Sequence, residues 1–150
     1  MRAIIQRVSS ASLNIDGKVE SSIGYGYLIL LGISDADNPE DLEWMTGKVS
    51  GLRIFDDERG LMNLDIRDVE GEAMIVSQVT LHASLRKGNR PSYSMAAKPE
   101  MAQPIYEAFV EIIGHQTGCK VVSGQFGSHM QVALVNDGPV TILIDSKNRE

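Results

Sequence analysis

The chain has 150 residues, 43% hydrophobic and 23% charged, with a mean hydropathy of −0.09; this suits one ordinary folded domain with a sizeable core and excludes a disordered chain. No apolar run reaches the roughly 20 residues of a membrane span, and the charges within Met1-Arg2-Ala3-Ile4-Ile5-Gln6-Arg7 are unlike a signal peptide. A net charge of −6 argues against nonspecific nucleic-acid binding, and the lone Cys119, which excludes an internal disulfide, is expected as a buried thiol of a cytoplasmic protein.

In chain order, Ile4 to Ile15 predicts a strand, followed by the hairpin signal Asp16-Gly17. Tyr25 to Ile33 is nearly continuous in apolar residues, as in a strand buried on both faces. Asn38-Pro39-Glu40-Asp41 is a helix start, with a cap, a proline at the first helical position and acids in the first turn. Leu42, Met45, Val49 and Leu52 carry that helix to about Arg53. Asn63 to Val69 and Ala73 to Leu81 read as two strands around a Glu70-Gly71 turn. A long polar segment, His82 to Lys98, separates them from a second helix that starts at Pro99-Glu100. Ile105, Phe109, Ile112 and Ile113 form its apolar face, and Gly114 or Gly118 ends it. Gln131 to Val135 and Val140 to Ile144 close the chain as two strands, with Asn136-Asp137-Gly138-Pro139 reading as a hairpin turn. The expected fold is α/β (α+β): one domain over 1–150, an antiparallel or mixed, barrel-like sheet and two main helices. Two helices leave part of such a sheet uncovered, which makes a homodimer plausible.

Charge is uneven along the chain. Between Asp35 and Glu72 there are 12 acids against 4 bases, whereas Ser84 to Lys98 holds Arg86, Lys87, Arg90 and Lys98 with no acid. That stretch reads either as a solvated loop or as a hold on one end of an RNA. His82, His115 and His129 lack the spacing of metal ligands, so no metal and no cofactor is expected.

Ser77-Gln78-Val79-Thr80 stands where an apolar strand delivers hydroxyls, an amide and backbone N–H groups to the long loop. Ser-Gln-x-Thr-Leu at Ser77 to Leu81, Gly-x-Arg-Pro-Ser at Gly88 to Ser92, Gly-x-Phe-Gly at Gly124 to Gly127 and Asn-x-Gly-Pro-Val-Thr at Asn136 to Thr141 follow in order. With Met1-Arg2-Ala3, Gln6-Arg7-Val8 and Gly60-Leu61-Met62-Asn63, this series resembles the D-aminoacyl-tRNA deacylase family from end to end. Val79 departs from the phenylalanine usual after Ser-Gln, which leaves a smaller pocket wall.

The resemblance implies a cytoplasmic hydrolase of the ester between a D-amino acid and the 3′-terminal ribose of tRNA. It implies a homodimer with active sites at the subunit interface, and no membrane partner. Ser77, Gln78, Val79 and Thr80 are the implied catalytic segment. Gly138-Pro139 is implied to be a cis dipeptide, inserted into the partner subunit's pocket, that rejects L-aminoacyl-tRNA sterically and lets glycyl-tRNA pass. Arg7, Phe126 and Met130 are implied at the substrate pocket, with Arg7 bracing the Gly-Pro loop; Arg86, Lys87 and Arg90 are placed on tRNA phosphate. Two chemistries stay open: Thr80 as nucleophile, with His82 as a base if the two share a strand face, or backbone N–H groups near Gln78 and Val79 holding an oxyanion while the ribose 2′-hydroxyl assists. Two rival functions are an L-alanyl-tRNA deacylase-type esterase and a non-catalytic dimeric nucleic-acid-binding protein.

Overall fold

One long strand organises the sheet. In the computed structural model, which describes all 150 residues, β1 (Arg2–Ile15) turns through Asp16-Gly17 into β2 (Lys18–Ile23) and continues, after a break at Gly24-Tyr25, into β3 (Gly26–Gly32). The second half of β2 and all of β3 keep one register against β1, from Leu13 opposite Ser21 through Ala11 opposite Ile23 to Arg2 opposite Gly32. α1 (Pro39–Ser50) follows, opened by a reciprocal pair of bonds between Asn38 and Asp41. A small hairpin, β4 (Phe55–Asp56) with β5 (Met62–Leu64), leads to β6 (Glu72–Ser77), parallel to β3. A single 3₁₀ turn (Val79–His82), α2 (Pro99–Thr117), β7 (Val121–Ser123) parallel to β6, and β8 (Gln131–Asp145) antiparallel to β1 complete the chain.

The result is one α+β domain with a nearly closed mixed sheet, as the sequence predicts, and it has two cores. Ala3 and Ile5 of β1, Tyr27, Ile29 and Leu31 of β3, and Ala73 and Ile75 of β6 pack against Met45, Val49, Phe109 and Ile113 of the two helices. Val8, Ala11 and Leu13, with Leu28, Met74 and Val76, fill the opposite face, covered by β8 side chains such as Val132 and Leu134. β3 and β6 are therefore buried on both faces, the cause of their unbroken apolar runs. Each fully buried side chain of this size contributes about 1.5–3 kcal/mol.

Three expectations are corrected, and one element is unanticipated. Asn63 to Val69 is not a strand: beyond Leu64, the Asp68 carboxylate accepts from the Asp65 N–H and the Asp65 carboxylate from the Arg67 N–H, a local turn that replaces a ladder. The strand at Ala73 ends at Ser77, not Leu81. The Gln78 N–H makes the last bond to the Leu31 carbonyl, and the Leu81 N–H turns back onto the Gln78 carbonyl. Gly32 makes room for that turn, since a Cβ there would lie 2.9 Å from the Leu81 Cβ and 3.0 Å from the Gln78 oxygen. Asn136 to Pro139 is not a hairpin turn, because both flanks belong to β8 and run antiparallel to β1. Val8 pairs Asn136 and Gln6 pairs Thr141, so Asp137 to Val140 bulge out of a single strand. β7, short and next to glycine, has no counterpart among the predicted elements.

Candidate active site

A cavity of about 420 Å³ opens where β6 ends. Val76, Ser77, Gln78 and Val79 form one part of its lining, and Phe126 to Met130 another. Ile33, Ala97, Pro99 and Ala102, from the end of β3 and the start of α2, complete it with Val132. Ser77, Gln78, Val79, Phe126 and Met130, proposed from the sequence and far apart in it, thus meet around one space. Phe126 is set by Tyr106, whose ring centroid lies 5.8 Å away. The Tyr106 hydroxyl donates to the Ile75 carbonyl at 2.8 Å, and burial pushes its pKa up to about 12.

The 3₁₀ turn decides what Thr80 can do. Thr80 is exposed and its hydroxyl accepts a hydrogen bond from the Gln78 side-chain amide. His82 shares no strand face with it: the residue is 4% exposed, and neither ring nitrogen has a hydrogen-bond partner. Burial, outweighing an opposing pull from the Gly32 backbone, lowers the His82 pKa and so favours the neutral ring. The Gln78 N–H is already engaged by Leu31. The donors left to an oxyanion are therefore the N–H groups of Val79 and Thr80, the first of a turn without a side-chain cap.

Arg7 does not line the cavity; it lies beneath the β8 bulge. Its Nε donates to the Asp137 carbonyl at 3.1 Å and faces the Asp137 carboxylate at 3.1 Å. Nη1 donates to the Ile54 carbonyl at 2.8 Å and to Asp56 at 3.1 Å. Arg7 thus ties β1 to the bulge of β8 and to the segment before β5, and Asp56 and Asp137, which no spacing in the sequence marks, are its charged partners. The Gly138-Pro139 bond is cis, and neither residue lines the cavity of its own chain. β8 pairs only with β1; its outer edge is open, and Val135 and Leu143 on it are 57% and 67% exposed.

Arg86, Lys87 and Arg90 are exposed on a loop pinned by reciprocal bonds between Ser84 and Ser92, at 2.8 and 3.0 Å. The loop leaves from the 3₁₀ turn and returns to Ala97, so both of its ends join the cavity wall. Sequence reasoning missed Ala97, Ala102, Ser128, His129 and Val132 as lining residues. For Ser128 and His129, their place between Gly-x-Phe-Gly and Met130 was the available signal.

The sequence pattern of a family described as D-Tyr-tRNA(Tyr) deacylase matches residues 4–145. A protein of Porphyromonas gingivalis named D-aminoacyl-tRNA deacylase is 57% identical and one of Parabacteroides distasonis 55%, each covering 100% of both chains. Among solved structures, the c-Myc DNA Unwinding Element Binding Protein matches with a TM-score of 0.92 at 39% identity, over 97% of this chain and 98% of that one. A probable eukaryotic D-amino acid tRNA deacylase shares the fold with a TM-score of 0.81 at 18% identity, over 95% and 97% of the two chains.

Proposed function

The chain belongs to the D-Tyr-tRNA(Tyr) deacylase family, hydrolases of the ester joining a D-amino acid to tRNA, and we propose that it runs this reaction in the cavity at the end of β6. The observation that carries the reading is the convergence of Ser77, Gln78 and Val79 with Phe126 and Met130 around one open cavity. The lining is mainly apolar with a few polar groups, which suits an aminoacyl ester more than a run of phosphates. Residues 1–150 act as one deacylase domain, and the cytoplasm, where charged tRNA is found, is its place of work.

Water attacks the ester carbonyl, and the developing oxyanion is held by the N–H groups of Val79 and Thr80. The ribose 2′-hydroxyl orients the attack. Thr80 is not the nucleophile in this scheme, because its hydroxyl is bonded to the Gln78 amide and has no base beside it.

Chirality is filtered by Gly138-Pro139 of a second copy. The two residues stand on a bulge away from their own cavity, on the open edge of β8. Carbonyl groups of the dipeptide accept from the substrate's α-ammonium, and an L side chain then meets the Gly-Pro backbone while a D side chain points out. Glycine has no side chain to collide, so glycyl-tRNA passes. Arg86, Lys87 and Arg90 take the phosphates of the acceptor end.

The test compares hydrolysis of D-tyrosyl-tRNA and L-tyrosyl-tRNA by the purified protein, with Pro139→Ala alongside. Hydrolysis confined to the D substrate, and loss of that preference in the variant, is the expected result; equal turnover of both by the unaltered protein overturns the filter. A second reading, binding of nucleic acid without catalysis, draws on the name of the 39%-identical structural relative and on the basic loop. It predicts tRNA binding with the ester intact after long incubation.

A further inference from the structure

Tyr93 is an aromatic ring without a partner. Every other aromatic side chain of the protein is buried, packed on another ring or, for Trp44, set against the Arg149 guanidinium. Tyr93 is 44% exposed on the loop after the 3₁₀ turn. A lone exposed tyrosine on a loose loop would mean little, but the backbone here is fixed on both sides. Ser92, just before it, exchanges two bonds with Ser84, and the Tyr93 carbonyl accepts from the Ala96 N–H at 3.0 Å. The Met95 carbonyl then accepts from the Asp35 N–H at 3.3 Å, and the Ala97 N–H donates to the Ile33 carbonyl at 3.0 Å.

The place of this ring in the chain is between two features of the site. On one side, beyond the Ser84–Ser92 pair, stand the exposed cations Arg86, Lys87 and Arg90. On the other, only Ser94 to Ala96 separate Tyr93 from Ala97 in the cavity wall. No acid occurs from Ser84 to Lys98. Cations that follow phosphates, combined with a ring that offers its face to a base, are the means by which proteins hold single strands without reading their sequence. The 3′ end of tRNA is single-stranded, so a base upstream of the esterified nucleotide leaves the cavity unpaired and free to stack. A protein partner would call for a broad apolar patch, whereas Leu85 and Met95 are the only other large apolar side chains this loop exposes. Its charge favours RNA.

We propose that Tyr93 is a positioning residue of this reaction, a platform on which an unpaired base of the acceptor end stacks as the strand passes from the cavity to the basic loop. The inference rests on the reading of the cavity as the deacylation site. Stacking is tolerant of sequence, because every base has a π-face, so one ring serves tRNAs of different identity. It also divides the binding in two: the cations supply the part that salt weakens, and Tyr93 supplies a part that salt leaves alone. The ring touches neither the ester nor the attacking water, so it acts by holding the strand.

The test measures binding of uncharged tRNA, intact and with its unpaired 3′ nucleotides removed, to the full chain and to Tyr93→Phe, Tyr93→Leu and Tyr93→Ala. Loss of one stacked base should weaken binding of intact tRNA by the alanine variant about 10-fold. Leucine fills space without a π-face and should do no better than alanine, whereas phenylalanine should bind within about twofold of the parent. The slope of log K against log salt should be the same in the parent and the alanine variant, because no phosphate contact is lost. On the shortened tRNA the two should bind alike. In hydrolysis of D-tyrosyl-tRNA, KM should rise with the loss of affinity while kcat stays within about threefold. Parent-like affinity in the alanine variant overturns the proposal. So does rescue by leucine, which would make the ring a packing element, or a loss that persists on the shortened tRNA, which would place the contact elsewhere. A parent that binds neither tRNA overturns it too and leaves the loop to a protein partner. Failure of the deacylase reading is separate, since the parent would then leave D-tyrosyl-tRNA intact whatever its affinity for tRNA.

Discussion

The guanidinium of Arg7 and the carbonyl of Asp137 are joined by a 3.1 Å hydrogen bond across 130 residues of sequence. The bond connects the centre of the first strand to the bulge in the last one, and Asp56 with the Ile54 carbonyl holds the other side of the guanidinium. Arg7→Lys keeps a charge but not the fork that reaches these acceptors together. The expected cost is about 1–3 kcal/mol, at the low end because Asp56 and Asp137 are 47% and 43% exposed. Urea unfolding measures it, and the turnover of D-tyrosyl-tRNA should drop with it. Wild-type stability in the lysine variant would mean that the brace carries no load.

Gly138 occupies φ +134°, and a Cβ there would lie 2.7 Å from the Val140 Cγ2 and 2.8 Å from the Val140 nitrogen. Gly138→Ala must therefore shift the bulge rather than fit it. Gly138 itself is exposed and belongs to neither core, with only Val140 of the bulge packed against one, so the melting temperature should change little. The ratio of D-tyrosyl-tRNA to L-tyrosyl-tRNA hydrolysis should collapse. An unchanged ratio would separate Gly138 from chiral selection.

The two helices, the doubly buried β3 and the start of β6 are legible in the sequence because their cause is local periodicity and capping. The bulge is not. Asp-Gly between apolar runs carries the same local signal whether the chain reverses or swells outward. What decides is the pairing of both flanks with β1, a relation at a sequence distance of more than 100 residues. Likewise Val79 to His82 has strand-like composition, and the turn it adopts depends on space left by Gly32, on another strand. The site followed the same division. Ser77 to Val79, Phe126 and Met130 follow from an ordered resemblance, whereas Ala97 and Asp56 become visible only once the chain is folded.

Thr80→Val tests the division of labour between side chain and backbone. Valine keeps the size and the N–H and removes the hydroxyl that the Gln78 amide holds. Activity on D-tyrosyl-tRNA should stay within about tenfold of the parent, and a substrate ending in 2′-deoxyadenosine should be nearly inert. Complete loss in the variant, with normal turnover of the deoxy substrate, would make Thr80 the nucleophile.

His82 predicts a stability change with pH. Burial holds its pKa in the folded state below the ordinary histidine value, so the unfolded chain binds the proton more readily. Stability from this source is present above the unfolded value of about 6.5 and is lost as pH falls from there toward the folded value. The Met1 ammonium and Arg2 oppose the charged ring, and Asp37 favours it without reversing the shift. His82→Leu, which removes two unpartnered ring nitrogens, should flatten the pH dependence of urea unfolding in this window. A slope that persists in the variant would assign it to other groups.

The loop carrying Arg86, Lys87 and Arg90 should govern the salt dependence of tRNA binding. None of the three forms a salt bridge within the chain, so their charges are free for phosphate. Each phosphate neutralised on a single strand contributes roughly 0.7 to the slope of log K against log salt. Replacing all three by alanine should flatten that slope by about 2, while the segment from Ser77 to Val79, fixed by β6 and the Gln78–Leu31 bond, keeps its place. At saturating substrate kcat should therefore change far less than KM. If the slope is the same in parent and variant, the loop is only solvated and the acceptor end is held elsewhere.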